Sequence, residues 1–544
     1  MAHPAHTCLQ GRAVRRFSPD VPCRTGSFFS APDIRLCPEG NVPSVSRGEP
    51  PRHGVWQCPC TRGSPVEGQG VVGAGVGGET GAGMVGRRRW AIGVLAFGLL
   101  LVGCGERAHA AARAPGLEVA GSAAGEGEGV LAWTRPLVLG DSEAPHAVVA
   151  PDGDVLVAAT YREPLDLGGG PLPFNHVSRA PHLLVARFSS EGTLRWAHGL
   201  TPEADTARAH VGGLTVDGEG NAWLGGLSAG FAQGAVKIPP GAFLARLSPQ
   251  GALERVRNFG GTGALTVNAL APDGTGGVVL VGDFQGQRDF GDGVRESPQG
   301  QRSAFAVSLD ASGQTRWSRT WAAGSEGLVT ARAVAVDVFG GVHIAGAYAG
   351  SVCFGGPALV TVRQRTPFVL KLSSGGEHAW SRDLRGTEGT ANALAVGPDR
   401  VFVGGNFSGR FYFQGKPHTS SGYQGFVTVF DTHGKERWAR SFAATATALA
   451  TDDAEQLTLA GSHDGGLDLG DGDVPAGLYV ARLHPEDGAS LWVRSFTSPS
   501  PTLARTVAVD SSGYTVAAGA LARSLPEGTP YPRPRDGFLL RLRP

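Results

Sequence analysis

The stretch Ala331-Arg332-Ala333-Val334-Ala335-Val336-Asp337, with Val342-His343-Ile344-Ala345-Gly346 after it and Phe368-Val369-Leu370-Lys371-Leu372…Trp380 beyond, decides the fold because it recurs. Its first strand and turn return as Val148-Val149-Ala150-Pro151-Asp152-Gly153, Leu214-Thr215-Val216-Asp217-Gly218 and Ala269-Leu270-Ala271-Pro272-Asp273-Gly274. They return again at Leu394–Gly397, Leu449–Asp452 and Val507–Asp510, which makes seven copies. The spacing is about 60 residues, in the range of solenoids and propellers. Asp caps its own turn and a following Gly accepts positive φ, so each copy reads as strand, tight reversal, strand.

A third strand, as in Phe305-Ala306-Val307-Ser308-Leu309, alternates apolar residues with period two. A fourth ends in Trp196, Trp317, Trp380, Trp438 or Trp492, four residues after a turn glycine, whereas copy two has Arg255. Four strands per unit make a propeller blade, and a blade buries both faces only when neighbours stack. The tryptophans are expected in that blade-to-blade core, and the Arg255 blade is expected to pack less well. The seventh copy stops at Phe538-Leu539-Leu540-Arg541-Leu542 without a fourth strand, while Val130-Leu131-Ala132-Trp133 stands alone at the other end. Residues 130–139 are therefore expected to complete the last blade and remove its open edges. The fold expected over 130–544 is all-β, a seven-bladed β-propeller with four-stranded blades closed by an N-terminal strand.

Ahead of it the chain reads as an address. Arg87-Arg88-Arg89 precede an apolar run ending at Val102, followed by Gly103-Cys104. That run is about 13 residues, short of the ~20 a spanning helix needs, and has the charged start of a secretory signal peptide. Residues 84–103 are read as a lipoprotein signal peptide, 104–129 as the lipidated Cys104 with a flexible linker, and 1–83 as a disordered extension or a start called too early, with Met84 the initiator. Of the cysteines beyond residue 60 only Cys104 and Cys353 remain, and Cys353 is expected as a small buried hydrophobe.

Leu101-Val102-Gly103-Cys104 resembles the bacterial lipobox, which implies a diacylglycerol on Cys104. Gly105 at the next position resembles lipoproteins of the outer membrane, on its periplasmic or surface face. The repeat, Ala-x-Ala-Val-x-Val-Asp…Phe-Val-x-Lys-Leu…Trp, resembles the seven-bladed SBBP-type propeller proteins of bacteria over roughly 130–544. That resemblance implies export and brings no catalytic residues. Asp431–Trp438 resembles the docking motif of quinoprotein propellers in its turn and Trp alone.

The formal charge of zero offers no long-range field for nucleic acid. No His-Glu-x-x-His, Gly-x-Ser-x-Gly or Walker motif is present. Asp464, Asp468, Asp471 and Asp473 form an oxygen-rich stretch and a weak Ca²⁺ candidate; no cofactor is expected. Five residues before the turn Asp, a polar and varied column runs Ala147, Gly212, Asn268, Arg332, Asn392, Thr447, Arg505. In a propeller such a column rings one mouth of the central channel, so Asn268, Arg332, Asn392, Thr447 and Arg505 are the candidate binding ring. The functional expectation is a lipid-anchored, non-enzymatic binding or scaffolding module of the cell envelope for protein or polysaccharide. The alternatives are an envelope enzyme on this fold (polysaccharide lyase, glycosidase or quinoprotein) and an outer-membrane assembly factor. A glycosidase would show two carboxylates about 5–10 Å apart in a deep mouth pocket.

Overall fold

The computed structural model describes residues 118–120 and 127–544, apart from 141, 179, 204–207, 234–235, 299, 325–326, 362–363, 471, 498–501 and 523–534. The described residues form no helix; they form seven four-stranded antiparallel blades. Blade 4 shows the plan: Leu328–Val336 innermost, then Val342–Ala349, Thr366–Leu372 and His378–Asp383. The blades begin at His146, His210, Leu265, Leu328, Thr387, Ala448 and Thr502. The innermost strand of each neighbours those of the blades before and after it, and the last neighbours the first, so the ring is closed.

Closure is made as the sequence predicts. Leu131–Leu137 pairs antiparallel with Arg535–Leu542 as the outer strand of blade 7. Leu137 and Leu139 are buried among Val155, Val157 and Leu539, which ties the closing strand to blades 1 and 7. A short strand upstream, Glu118–Ala120, lies along Ser495–Thr497 and adds a fifth strand to blade 6, within the stretch expected as linker.

Apolar residues alternate along each strand and meet those of the next blade, so the core lies between blades. One cluster joins Val279, Val281 and Trp317 of blade 3 to Val329, Ile344 and Tyr348 of blade 4. Two devices repeat around the ring. In the first, the turn Asp accepts backbone N–H groups and pairs with a base on the third strand of its blade. Asp337 accepts from Gly341 N at 2.7 Å and meets Lys371 Nζ at 2.8 Å; Arg246–Asp217, Arg482–Asp452 and Arg541–Asp510 repeat the pairing.

In the second, each outer-strand Trp sits beneath a turn of the following blade. Trp317 Nε1 donates to Ser374 O at 2.8 Å, and its ring lies so close to Gly376 that a Cβ there would be 2.8 Å away. Gly376, at φ 81°, serves both the turn and this close approach. Arg319, two residues on, donates to Gly376 O at 2.9 Å. Trp196, Trp380 and Trp438 donate in the same way to Pro249, Thr432 and Pro485. The tryptophans are packing residues. At the Arg255 position the arrangement fails as expected: the equivalent Gly313 has nothing within 4 Å of an added Cβ. The arginine of the device is kept: Arg257 donates to Gly313 O at 2.7 Å. Cys353 corrects its expectation, being half-buried and disulfide-bonded rather than a buried free thiol.

Candidate functional site

The polar column coincides with a β-bulge. Pairing in blade 4 passes from Ala331–Gly346 to Ala333–Ala345 and leaves Arg332 without a cross-strand partner. The same slip leaves out Asn268 between Val267–Gly282 and Ala269–Val281, and Asn392 between Ala391–Gly405 and Ala393–Gly404. It leaves out Arg505 between Ala504–Gly519 and Thr506–Ala518, and Gly212 in blade 2. A bulge carries an extra residue and re-aims its side chain. The partner before each slip is a glycine, and a Cβ on Gly282, Gly346, Gly405 or Gly519 would strike the backbone oxygen of Thr266, Thr330, Thr390 or Leu503. The recurrent second-strand glycine is thus what lets the inner strand bulge.

Asn268, Arg332, Asn392, Thr447 and Arg505 line a single cavity of about 380 Å³ in the central channel, together with Ala147 and Gly212. Their environments differ. Asn268 Nδ2 donates to Asp283 Oδ1 at 3.0 Å and to Ala331 O at 2.8 Å, bridging blades 3 and 4. Thr447 Oγ1 donates to Ala460 O at 3.0 Å. Arg332 is exposed to the channel, and among the described residues it has no hydrogen-bond or ion-pair partner. Arg505 Nη2 and Nε lie 3.1 and 3.3 Å from His146 Nε2.

His146 and His210 also line this cavity, and the single-column comparison misses both. They sit one and two residues before the column positions Ala147 and Gly212, so reading two adjacent columns would have found them. Burial, and then the neighbouring Arg505, push the His146 pKa down to about 3; the imidazole is neutral and accepts from the guanidinium. Burial likewise lowers His210, with Glu143 opposing and Arg505 adding to the shift. Loss of water around the guanidinium within the channel lowers the Arg505 pKa below its ordinary value, Glu143 raises it and Arg332 lowers it further. The two guanidiniums, from blades 4 and 7, line the same cavity.

A second cavity of about 1000 Å³ lies over blades 1–3 and shares His210 with the channel. Glu143, Arg162, Arg208 and Arg288 line it. Glu143 is the one carboxylate among the described residues lining either cavity, so the carboxylate pair of a glycosidase is not among them. The Asp464–Asp473 stretch closes as a hairpin: Leu467–Asp468 pairs with Asp473–Val474, and Asp468 Oδ1 accepts from Gly470 N at 2.7 Å. Asp464 is exposed, Asp471 lies outside the described residues, and among those described no group of three or more His, Cys, Asp or Glu is placed to hold a metal ion. Cys104 and the expected signal peptide also lie outside the described residues.

No family model matches the chain, and no curated protein does. Solved structures with a similar fold include the polysaccharide lyase Uly1, 9% identical with a TM-score of 0.41, over 73% of this chain and 89% of that one. They also include a protein of unknown function from Dyadobacter fermentans, 11% identical with a TM-score of 0.35, over 76% and 98% of the two chains. A gluconolactonase from Xanthomonas campestris is 12% identical with a TM-score of 0.31, over 79% and 99%. At such identities the likeness concerns architecture alone.

Proposed function

We propose that this chain is a non-enzymatic binding propeller of the bacterial cell envelope, anchored to the outer membrane through lipid on Cys104, with its ligand site in the central channel. One observation carries the reading: bulge residues from blades 3, 4, 5 and 7 and Thr447 of blade 6 meet at one cavity of about 380 Å³. A side chain that serves only packing has no need of a bulge to turn it into a channel. The partner class is an envelope protein or polysaccharide. Crosslinking in intact cells and retention on isolated envelope polysaccharide, each with full-length protein and with an Arg332→Gln/Asn392→Ala double variant, test the reading. A captured partner lost in the double variant supports it; equal capture by both proteins places the binding surface elsewhere. Labelling with a radioactive fatty acid, abolished by Cys104→Ser, tests the anchor.

A second reading, an envelope enzyme, draws on His146 and His210. His210, an imidazole that burial keeps neutral beside the channel, offers a general base next to an anion site, while His146 holds Arg505 in place. Turnover of an envelope polysaccharide that disappears in His146→Gln and His210→Gln would replace the binding reading with this one.

A further inference from the structure

We propose that the channel recognises a hydroxylated carboxylate, a uronate-type sugar residue, with the carboxylate held between Arg332 and Arg505. This names the ligand class of the channel site and rests on the binding reading above. Arg332 has no hydrogen-bond or ion-pair partner among the described residues, and Arg505 reaches only the neutral His146. No carboxylate lies among the described residues lining the channel; Glu143, in the adjoining cavity, offsets part of the Arg505 charge and leaves Arg332 without a counter-ion among them. Two like charges confined together are each disfavoured by the other, and an anion between them relieves both. Guanidinium suits a planar carboxylate, which it binds through two parallel N–H groups.

The rest of the lining selects against a bare anion. Both Asn268 Nδ2 hydrogens are taken, by Asp283 and Ala331, which leaves Oδ1 as an acceptor. Thr447 spends its proton on Ala460 O and keeps its lone pairs. Acceptors beside an anion site repel oxyanion oxygens and welcome hydroxyl donors. Ala147 and Gly212 leave space on the side of blades 1 and 2, where the larger cavity joins at His210. A volume of about 380 Å³ lies at the small end of ligand sites, suited to one sugar residue, while Arg162 and Arg208 of the larger cavity face the path a longer acidic chain would take.

Saturation-transfer NMR on full-length protein in detergent, titrated separately with D-glucuronate, D-galacturonate, D-glucose, acetate and phosphate, tests the proposal. Arg332→Gln and Arg505→Gln are the site variants. Arg255→Gln, on an exposed outer-strand position, is the control. The expected result is binding of at least one uronate, weakened tenfold or more in each site variant and unchanged in the control, with glucose, acetate and phosphate at least tenfold weaker. The proposal is overturned if neither uronate binds, if glucose, acetate or phosphate binds as tightly, or if folded site variants bind like wild type. Circular dichroism and thermal unfolding check folding; Arg332 leaves no partner behind, so Arg332→Gln is expected to melt no lower than wild type. If the uronates fail while the double variant still loses its captured partner in cells, the ligand class falls and the binding reading stands. If both fail, both fall.

Discussion

The indole Nε1 of Trp133 donates to the carbonyl of Ser190 at 2.8 Å, across the seam between blade 7 and blade 1. Trp133 comes before the first strand of blade 1 in the chain, yet it does for blade 7 what Trp317 does for blade 3. Its ring lies 3.0 Å from where a Cβ on Gly192 would be, and Arg135 adds the usual bond to Gly192 O at 2.9 Å. The seam is therefore closed by the same device as the interior of the ring.

Trp133→Ala is expected to lower stability by about 2–4 kcal/mol, less than the upper end for a fully buried Trp because the ring is half-buried. Urea unfolding of full-length protein measures this. A loss no larger than that of a surface substitution would show that strand pairing alone closes the ring.

Arg255→Trp is expected to stabilise by about 1–2 kcal/mol, because an indole would fill the space over Gly313 that the equivalent residue occupies in other blades. A raised thermal midpoint checks it; a lowered one would mean that an indole does not fit over Gly313.

Trp492 differs from Trp317 in a way that predicts unequal sensitivities. Its Nε1 is buried without a partner among the described residues, since the turn it would meet is divided between Glu128 and Pro544, at the two ends of the propeller. Gly129 takes the place of the turn glycine above its ring. Trp317→Phe leaves Ser374 O unpaired and is expected to cost about 1 kcal/mol more than Trp492→Phe. Parallel denaturant titrations compare the two.

Asp337 carries an acid-side contribution. Burial pushes its pKa up, but bonds from His343, Lys371 and Gly341 prevail and hold the carboxyl well below the usual carboxylate range. A depressed folded pKa means stability that is complete above about pH 4 and is lost as pH falls towards the folded value. Unfolding titrations from pH 7 to pH 3 should show a steeper acid loss in wild type than in Asp337→Asn.

His146 acts at higher pH. Its folded pKa of about 3 lies below the ordinary 6.5, so the unfolded chain takes up a proton first as pH falls. Stability should decline from about pH 6.5 downward, and His146→Gln should flatten that slope between pH 6.5 and 4. An unchanged slope would mean that the imidazole is protonated in the fold.

Much of this was legible in advance because it is local. The turn Asp, the period-two strands and the outer Trp repeat at spacings that a single blade dictates, so blade number and the seam were readable from residues such as Asp337, Trp380 and the lone Trp133. The candidate ring was legible as a column, but its meaning was not. Nothing in Ala331-Arg332-Ala333 announces a bulge; it appears only when Gly346 is seen opposite, where a Cβ would strike Thr330.

By itself the sequence determined how many blades form and which strands make up each, since strand alternation and turn chemistry act over a few neighbouring residues. Only the tertiary structure decided that Arg332 and Arg505 line one channel, that His146 is neutral there, and that Gly129 replaces a missing turn above Trp492. Those outcomes depend on ring closure, which brings together residues hundreds of positions apart and withdraws them from water, and charge and burial take their values only then.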